Sequence, residues 1–204
     1  MDYLPIRRAL LSVTDKSGLS EVCTALIQNQ AELVSTGGTM RHIQEAGFPV
    51  TAVSEVTGFP EILNGRVKTL HPRIHAGVLA DKDNQEHINT LRRMDILAFD
   101  LVCVNLYDFA QALAQKKQDR ELVEEIDIGG PTLLRAGAKN YHSLTVLPTP
   151  QVYAEFLTQL DTHQGAVSLN FRKRMAAKTF ALTSSYDHMI AQALETNSFT
   201  RSSL

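Results

Sequence analysis

Arg-Arg-Ala-Leu-Leu-Ser-Val-Thr, residues 7–14, is a short and mostly apolar run that predicts a buried β-strand. A short break follows, and apolar residues then recur at helical spacing up to about residue 30. Two further short strands are predicted at 33–34 and 50–53, on either side of a helix at about 39–46. Alternating strands and helices are typical of a parallel α/β sheet, so this stretch decides the fold class.

The remainder of the chain adds two strands and several helices. Strongly apolar runs at 99–105 and 144–147 predict the fourth and fifth strands. Helices are expected at about 83–94 and 150–160, and residues 166–195 predict one long or broken helix. We therefore expect an α/β fold with a central, mostly parallel five-stranded sheet and C-terminal helices. Two polar segments predict a surface loop and a polar tail: residues 116–119 and 198–204.

Composition and charge exclude several classes of protein. The 204 residues are 44% hydrophobic and 21% charged, which is enough for one domain with a sizeable core. The net charge of −2 gives no general attraction to nucleic acid, and we expect no nucleic-acid polymer as partner. The two cysteines, Cys23 and Cys103, have no paired spacing, which favours reduced thiols in a cytoplasmic protein. No apolar run reaches the length of a membrane span, and the N-terminus lacks a signal-peptide core.

Residues 125–140 contain the strongest indication of chemistry. Asp127 is followed by Gly129, Gly130 and Pro131, and we expect a helix that begins at about Pro131 with an N-terminus open to anions. Its two cations, Arg135 and Lys139, are expected to be buried among apolar residues. An Asp and a Lys beside such an N-terminus could hold an anionic ligand and move a proton. The alternative is an ordinary buried helix preceded by a glycine turn.

Three polar segments follow predicted strands, and ligands bind at the carboxyl ends of strands in parallel sheets. These segments are 14–17, 35–39 and 103–107. The turn Ser-Thr-Gly-Gly-Thr at 35–39 offers hydroxyl and N–H groups that suit a phosphate, and Lys16 adds a cation. The alternative for this turn is simple capping of the next helix by Thr36 or Thr39.

The loop at 65–72, Gly-Arg-Val-Lys-Thr-Leu-His-Pro, supplies two more cations in an irregular segment. Long irregular loops in compact domains are usually functional, so we favour a binding role for Arg66 and Lys68 over a solvated surface loop. His71 and His75 lie four residues apart, but no third ligand stands out. We therefore expect structural roles for both histidines and no metal site.

Five motifs occur together and in order: Ser-Val-Thr-Asp-Lys-Ser-Gly, Ser-Thr-Gly-Gly-Thr, Gly-Arg-Val-Lys-Thr-Leu-His-Pro, Asn-Leu-Tyr and Ile-Asp-Ile-Gly-Gly-Pro-Thr-Leu-Leu-Arg-Ala-Gly-Ala-Lys-Asn. With them, residues 8–195 resemble the inosine monophosphate (IMP) cyclohydrolase domain of the bifunctional purine-biosynthesis proteins. The resemblance implies a three-layer, methylglyoxal-synthase-like fold. It also implies that residues 1–204 form one cyclohydrolase domain, with a core at about 8–148 and C-terminal helices at about 149–195. The family's formyltransferase domain would follow residue ~200 and is expected to be absent, so the chain is either a stand-alone enzyme or an excised domain.

The same resemblance implies an activity, closure of 5-formamidoimidazole-4-carboxamide ribonucleotide to IMP and water, the last step of purine synthesis. It implies no cofactor, and a homodimer as the assembly. Four positions match the family's catalytic residues: Lys68, Tyr107, Asp127 and Lys139. Together with Ser35 from the phosphate-binding turn, the expected nucleotide-binding residues are Thr14, Lys16, Thr36, Gly37, Gly38, Thr39, Arg66, Thr69, Asn105, Ile128 and Gly129.

The chemistry of ring closure suggests what those groups do. An amide nitrogen attacks a formyl carbon, so the site needs a proton acceptor, a proton donor and an oxyanion stabiliser. We assign the carboxamide proton to Asp127 with Lys139, and the oxyanion to Lys68 with N–H groups near Gly129. Tyr107 and Lys139 are both candidates to protonate that oxygen, and which lysine donates the proton stays open.

Two departures from the family pattern and two competing functions remain. Asp108 stands where the family has proline, and Gly137 stands where alanine is usual. A non-catalytic nucleotide-binding regulatory domain would need the phosphate-binding turn but not Lys68, Asp127 and Lys139 together. Methylglyoxal synthase activity would leave the loop at 65–72 unexplained. We therefore favour an enzyme.

Overall fold

A five-stranded parallel sheet forms the centre of the computed structural model, which describes residues 1–115 and 119–196. The strands are β1 (Tyr3–Pro5), β2 (Arg8–Ser12), β3 (Glu32–Ser35), β4 (Thr51–Ala52), β5 (Leu101–Val104), β6 (Thr145–Leu147) and β7 (Ala166–Ser168). The central sheet has the order β4-β3-β2-β5-β6, and all four of its pairings are parallel. Every residue of β5 and β6 is buried, as expected for strands covered on both faces. The predicted fold class is confirmed.

Ten α-helices connect and cover these strands within the described residues. They are α1 (Leu19–Gln28), α2 (Gly37–Glu45), α3 (Val53–Thr57), α4 (Pro72–Leu79), α5 (Gln85–Arg93), α6 (Phe109–Ala114), α7 (Asp119–Glu124), α8 (Gly129–Lys139), α9 (Tyr153–Thr162) and α10 (Leu169–Thr196). None of these helices is both long and apolar enough to cross a membrane.

Two neighbouring residues of β5 show that helices cover both faces of the sheet. The Tyr153 hydroxyl of α9 lies 3.2 Å from Cys103 Sγ. On the other face, a Cβ added at Gly137 of α8 would lie 3.7 Å from Val102 Cβ. Successive side chains of a strand point to opposite faces, so α9 and α8 belong to different layers. Such a Cβ would also lie 3.0 Å from Leu144 Cδ2, so the missing side chain of Gly137 allows the close approach of α8 at this point.

A small second sheet departs from the prediction. β1 pairs antiparallel with β7, so residues 166–168 are a strand and not the start of the long helix. Leu4 and Val167 are buried in this pair. Ser168 ends the strand and caps α10, since its Oγ accepts a hydrogen bond from the N–H of Phe171 at 3.3 Å. A strand of three residues is too short to show a period, which is why the sequence pattern missed both strands.

Helix boundaries were also predicted with small errors. α8 begins at Gly129 and not at Pro131, so the proline occupies the third helical position. Backbone N–H groups in the first turn of a helix have no acceptor within the helix, so a proline there removes no helical hydrogen bond. Likewise α2 begins at Gly37, two residues before the predicted start. Residues 116–118 of the predicted surface loop and the predicted polar tail at 198–204 lie outside the described residues, whereas Asp119 begins α7.

Candidate active site

A cavity of about 660 Å³ opens at the carboxyl ends of β2, β3 and β5, beside the N-terminus of α8. This volume lies within the range of small-molecule sites. All of the predicted site residues line the cavity except Ser35 and Lys139. Its lining residues lie within 12–16, 36–39, 64–69, 104–107 and 123–130, together with Leu133. The rule that ligands bind at the carboxyl ends of parallel strands therefore located the cavity correctly.

Two of the predicted ligand-binding residues that line the cavity also make hydrogen bonds to the backbone after β2. The Thr39 hydroxyl accepts a hydrogen bond from the N–H of Val13 and donates one to its carbonyl, both at 2.9 Å. Asn105 Oδ1 accepts from the N–H groups of Thr14 and Asp15 at 2.6 and 3.1 Å. Asn105 Nδ2 donates to the Asp15 carbonyl at 2.9 Å. These side chains fix the loop that carries Lys16, whose Nζ donates to the Thr14 carbonyl at 3.3 Å.

The Ser-Thr-Gly-Gly-Thr turn, predicted to bind a phosphate, lies at the start of α2 and faces the cavity. Ser35 is fully buried, and its hydroxyl donates to the Leu11 carbonyl at 2.7 Å, so it does not line the cavity with the rest of the turn. Thr36 occupies the N-cap position, but its side chain makes no capping hydrogen bond. The first turn of α2 therefore presents backbone N–H groups and the partial positive charge of the helix to the cavity.

Lys68 lies beside this helix N-terminus. A Cβ added at Gly37 would lie 3.4 Å from Lys68 Nζ, and one at Gly65 would lie 2.8 Å from Lys68 Cε. Glu61 forms an ion pair with Lys68, with Oε2 at 3.7 Å from Nζ. Lys68 also borders an adjoining cavity of about 290 Å³. An ammonium group and a helix N-terminus here favour the binding or stabilisation of negative charge.

Asp127 is held at the N-terminus of α8. Its Oδ1 accepts a hydrogen bond from the N–H of Gly130 at 2.9 Å, and its own N–H donates to the Tyr186 hydroxyl at 2.9 Å. Burial raises the pKa of the Asp127 carboxyl, and the N–H groups of Gly130 and Gly129 and the charge of Lys68 oppose that increase. A carboxylate with a raised pKa is a stronger proton acceptor than an ordinary aspartate.

Tyr107 completes the acid–base groups of the cavity. Its side chain is partly exposed at the rim. Burial raises the pKa of the Tyr107 phenol, and the negative charges of Asp127, Glu125 and Glu61 raise it further. The phenol therefore keeps its proton at neutral pH and can act as a donor.

Arg66 is paired in this structure with a residue that the sequence analysis did not select. Its guanidinium Nε donates to Glu124 Oε2 at 3.2 Å, and Nη2 contacts Oε1 of the same carboxylate. Both side chains are more than half exposed and both line the cavity. A phosphate that binds Arg66 must therefore compete with Glu124.

Lys139 lies away from the cavity, and the expectation that it sits near a helix start is wrong. It ends α8, ten residues after Gly129, which corresponds to roughly 15 Å along the helix axis. Lys139 and Arg135 are both exposed, so the prediction of two buried cations is also wrong. Arg135 instead stacks against Phe180, with its guanidinium carbon 5.6 Å from the ring centroid.

Asp108 and His71 cap helices. Asp108 Oδ1 accepts from the N–H of Gln111 at 2.9 Å at the start of α6, so its replacement of proline provides an N-cap. His71 Nδ1 accepts from the N–H of Arg73 at 3.2 Å at the start of α4. Among residues 1–115 and 119–196, no group of three or more His, Cys, Asp or Glu side chains is arranged to hold a metal ion.

The fold agrees with comparisons to known proteins. The chain belongs to the MGS-like domain family, whose model matches residues 18–132. Residues 137–203 match a second family model, described as AICARFT/IMPCHase bienzyme.

The chain is also similar to named relatives in sequence and to a solved structure. This chain is 54% identical over 187 residues to the bifunctional purine biosynthesis protein PurH of Rippkaea orientalis. It is 50% identical over 189 residues to the protein of the same name in Halalkalibacterium halodurans. These alignments cover 91% and 92% of this chain but only 36% and 37% of the relatives, so the chain spans little more than a third of their length. The crystal structure of ForH superposes with a TM-score of 0.82 at 28% identity, covering 93% of this chain and 97% of that one.

Proposed function

We propose that this chain is an IMP cyclohydrolase, which closes 5-formamidoimidazole-4-carboxamide ribonucleotide to IMP and water in purine biosynthesis. The observation that carries the proposal is the convergence of Lys68, Tyr107 and Asp127 on one cavity. The match to the AICARFT/IMPCHase model and the names of the PurH relatives support it. In this proposal residues 1–204 act as one catalytic domain in the cytoplasm.

The proposed step uses these three groups in separate roles. Asp127 takes a proton from the carboxamide nitrogen as that nitrogen attacks the formyl carbon and the new C–N bond forms. Lys68 stabilises the negative charge that develops on the formyl oxygen, and Tyr107 donates a proton to it. The former formamido nitrogen then loses its proton and the ring carbon loses the hydroxyl, which forms the C=N bond of IMP and releases water. Because both reacting groups sit on one imidazole ring, correct orientation supplies much of the acceleration. No cofactor enters the step.

We assign the nucleotide phosphate to the region around Lys16, Arg66 and the N-terminus of α2. Backbone N–H groups at a helix start and nearby cations are a recurring phosphate-binding arrangement. IMP should therefore bind more tightly than inosine, which lacks the phosphate. Calorimetry that gives equal affinities for the two compounds would contradict this assignment.

The activity is tested by adding the formamido-ribonucleotide and recording the appearance of the purine ultraviolet spectrum. We expect turnover by the wild type and a decrease of at least about 10² for Asp127→Asn, the size seen when one preorganised catalytic group is removed. Asp161→Asn, on the exposed surface of α9, is the matched control and should keep normal turnover. Tight IMP binding without any turnover would instead support the non-catalytic regulatory domain.

We also propose that the chain forms a homodimer in which Lys139 of one copy reaches the cavity of the other. Large apolar side chains are exposed at the cavity rim and on α10: Tyr107, Val123, Ile128, Phe180 and Leu194. Where such side chains form a contiguous patch, they mark an interaction surface. A dimer would reconcile the exposed position of Lys139 with the catalytic role that the family resemblance implies. Sedimentation that shows only monomer at tens of micromolar, well above the Kd of a stable dimer, would contradict it.

A further inference from the structure

The hydroxyl group of Tyr186 makes hydrogen bonds to the backbone of two residues, Glu125 and Asp127. It accepts a hydrogen bond from the Asp127 N–H at 2.9 Å and donates one to the Glu125 carbonyl at 3.4 Å. Tyr186 lies on α10, more than 50 residues after Asp127 in the chain, and is 5% exposed. Its ring packs edge-on against Phe109, with centroids 6.2 Å apart.

We propose that Tyr186 is a positioning residue that orients Asp127 for the reaction. The inference rests on the proposed function, because it concerns the proton acceptor of that reaction. Tyr186 does not line the cavity, so it acts through Asp127 and not on the substrate.

The geometry restricts Asp127 from two sides. The N–H of Gly130 holds the carboxylate, and the Tyr186 hydroxyl holds the backbone N–H. Asp127 precedes the N-cap of α8, so its N–H has no acceptor within that helix. A phenol can accept and donate at once, whereas a phenylalanine at this position could do neither. The hydroxyl therefore links the long C-terminal helix to the segment that carries the catalytic carboxylate.

The opposing explanation is that Tyr186 only contributes its ring to a hydrophobic cluster. That cluster contains Phe109, Ala112 and Leu122, and the ring alone would suffice for it. Tyr186→Phe separates the two explanations, because it keeps the ring and removes the hydroxyl. Tyr141→Phe is the matched control, since Tyr141 is a partly buried tyrosine outside the cavity. Phe109→Leu is a second control that disturbs the ring contact and leaves the hydroxyl.

The experiment measures two quantities on each protein. Amide hydrogen exchange by NMR reports the Asp127 N–H, and steady-state kinetics report kcat and KM. For Tyr186→Phe we expect Asp127 exchange to accelerate about tenfold and kcat to fall about tenfold with KM unchanged, as for the loss of one hydrogen bond. Tyr141→Phe should change neither quantity. Phe109→Leu should lower the melting temperature without the selective increase in Asp127 exchange.

Several outcomes would overturn the proposal. An unchanged kcat in Tyr186→Phe would overturn it, whether or not exchange of the Asp127 amide accelerates. A lower kcat with unchanged exchange of that amide would also overturn it. If Tyr186→Phe did not fold, the wild type alone would still decide, because an unprotected Asp127 amide would exclude the hydrogen bond. Absence of turnover in the wild type would refute the proposed function instead, and hydrogen exchange would still report the contact between Tyr186 and Asp127.

Discussion

The carboxylate of Asp127 lies directly over Gly130, the second residue of α8. Gly130 donates its N–H to Oδ1 at 2.9 Å, and a Cβ added at Gly130 would lie 3.0 Å from Asp127 Cγ and would overlap the carboxylate. It would also lie 2.9 Å from Leu106 Cδ2. The second glycine of the Asp-Ile-Gly-Gly sequence is therefore required by the position of the Asp127 carboxylate.

This contact predicts that Gly130→Ala displaces Asp127. We expect turnover to fall about 10²-fold, because a small misplacement of a catalytic group can cost that much. The matched control is Gly137→Ala in the same helix, where the nearest atom to the new Cβ is the side-chain carbon Leu144 Cδ2 at 3.0 Å. That variant should keep its turnover. Normal turnover in Gly130→Ala, measured at saturating substrate, would show that Asp127 need not occupy its observed position.

The buried carboxyl of Asp127 also predicts a pH-dependent stability. Burial raises its pKa above the ordinary value of 3.8, so the folded chain binds more protons than the unfolded chain between the two pKa values. Stability from this group therefore falls as pH rises through the folded pKa. Asp127→Asn removes the ionisation, so its melting temperature relative to the wild type should rise between about pH 4 and pH 7. If Asp127 were instead a structural brace paired with a cation, the variant would lose stability at neutral pH.

Most of the sheet could be predicted from sequence because four of its five strands are distinct, mostly buried runs, whereas β4 is only partly buried. Residues 8–12 and 101–104 show this directly, as nearly all their side chains are buried. The β1–β7 pair could not be predicted, since three residues cannot distinguish a strand from the first turn of a helix. β7 forms a strand because it pairs with β1, which lies more than 160 residues away in sequence.

The position of the cavity could be predicted from the carboxyl ends of the strands, but the hydrogen bonds that its side chains make within the protein could not. Thr39 and Asn105 are predicted to bind the nucleotide, and both line the cavity. Their side chains also make hydrogen bonds to the loop after β2. A hydroxyl or amide in a turn can serve a ligand or a backbone equally well, and residue type alone does not separate the two. Glu124 and Tyr186 could not be selected from sequence because neither belongs to a short motif. Their partners, Arg66 and Asp127, are far from them in sequence and are brought close only by the fold.

The pair between Arg66 and Glu124 predicts that Glu124 limits nucleotide affinity. Glu124→Gln should free Arg66 for the phosphate and raise IMP affinity up to about fivefold, since an exposed pair contributes no more than about 1 kcal/mol. Arg66→Met should weaken binding. Glu121→Gln, also exposed on α7 and outside the cavity lining, is the control and should leave affinity unchanged. Titration calorimetry with IMP measures all three, and unchanged affinity in Glu124→Gln would show that the pair does not compete with the phosphate.

The final prediction tests Lys139 together with the proposed dimer. Lys68 lines the cavity of its own chain, whereas Lys139 lies roughly 15 Å along α8 from the cavity end of that helix. If Lys139 acts on the partner's cavity, Lys68→Met and Lys139→Met should each lose turnover, and mixing the two variants should restore part of it. A mixed two-fold dimer regains one intact site, so random exchange should recover about one quarter of wild-type turnover. If mixing the two variants does not restore turnover, the melting temperature and turnover of Lys139→Met alone separate two explanations. A stable Lys139→Met protein with normal turnover would remove Lys139 from the catalytic residues, and an unstable, inactive one would assign it to folding.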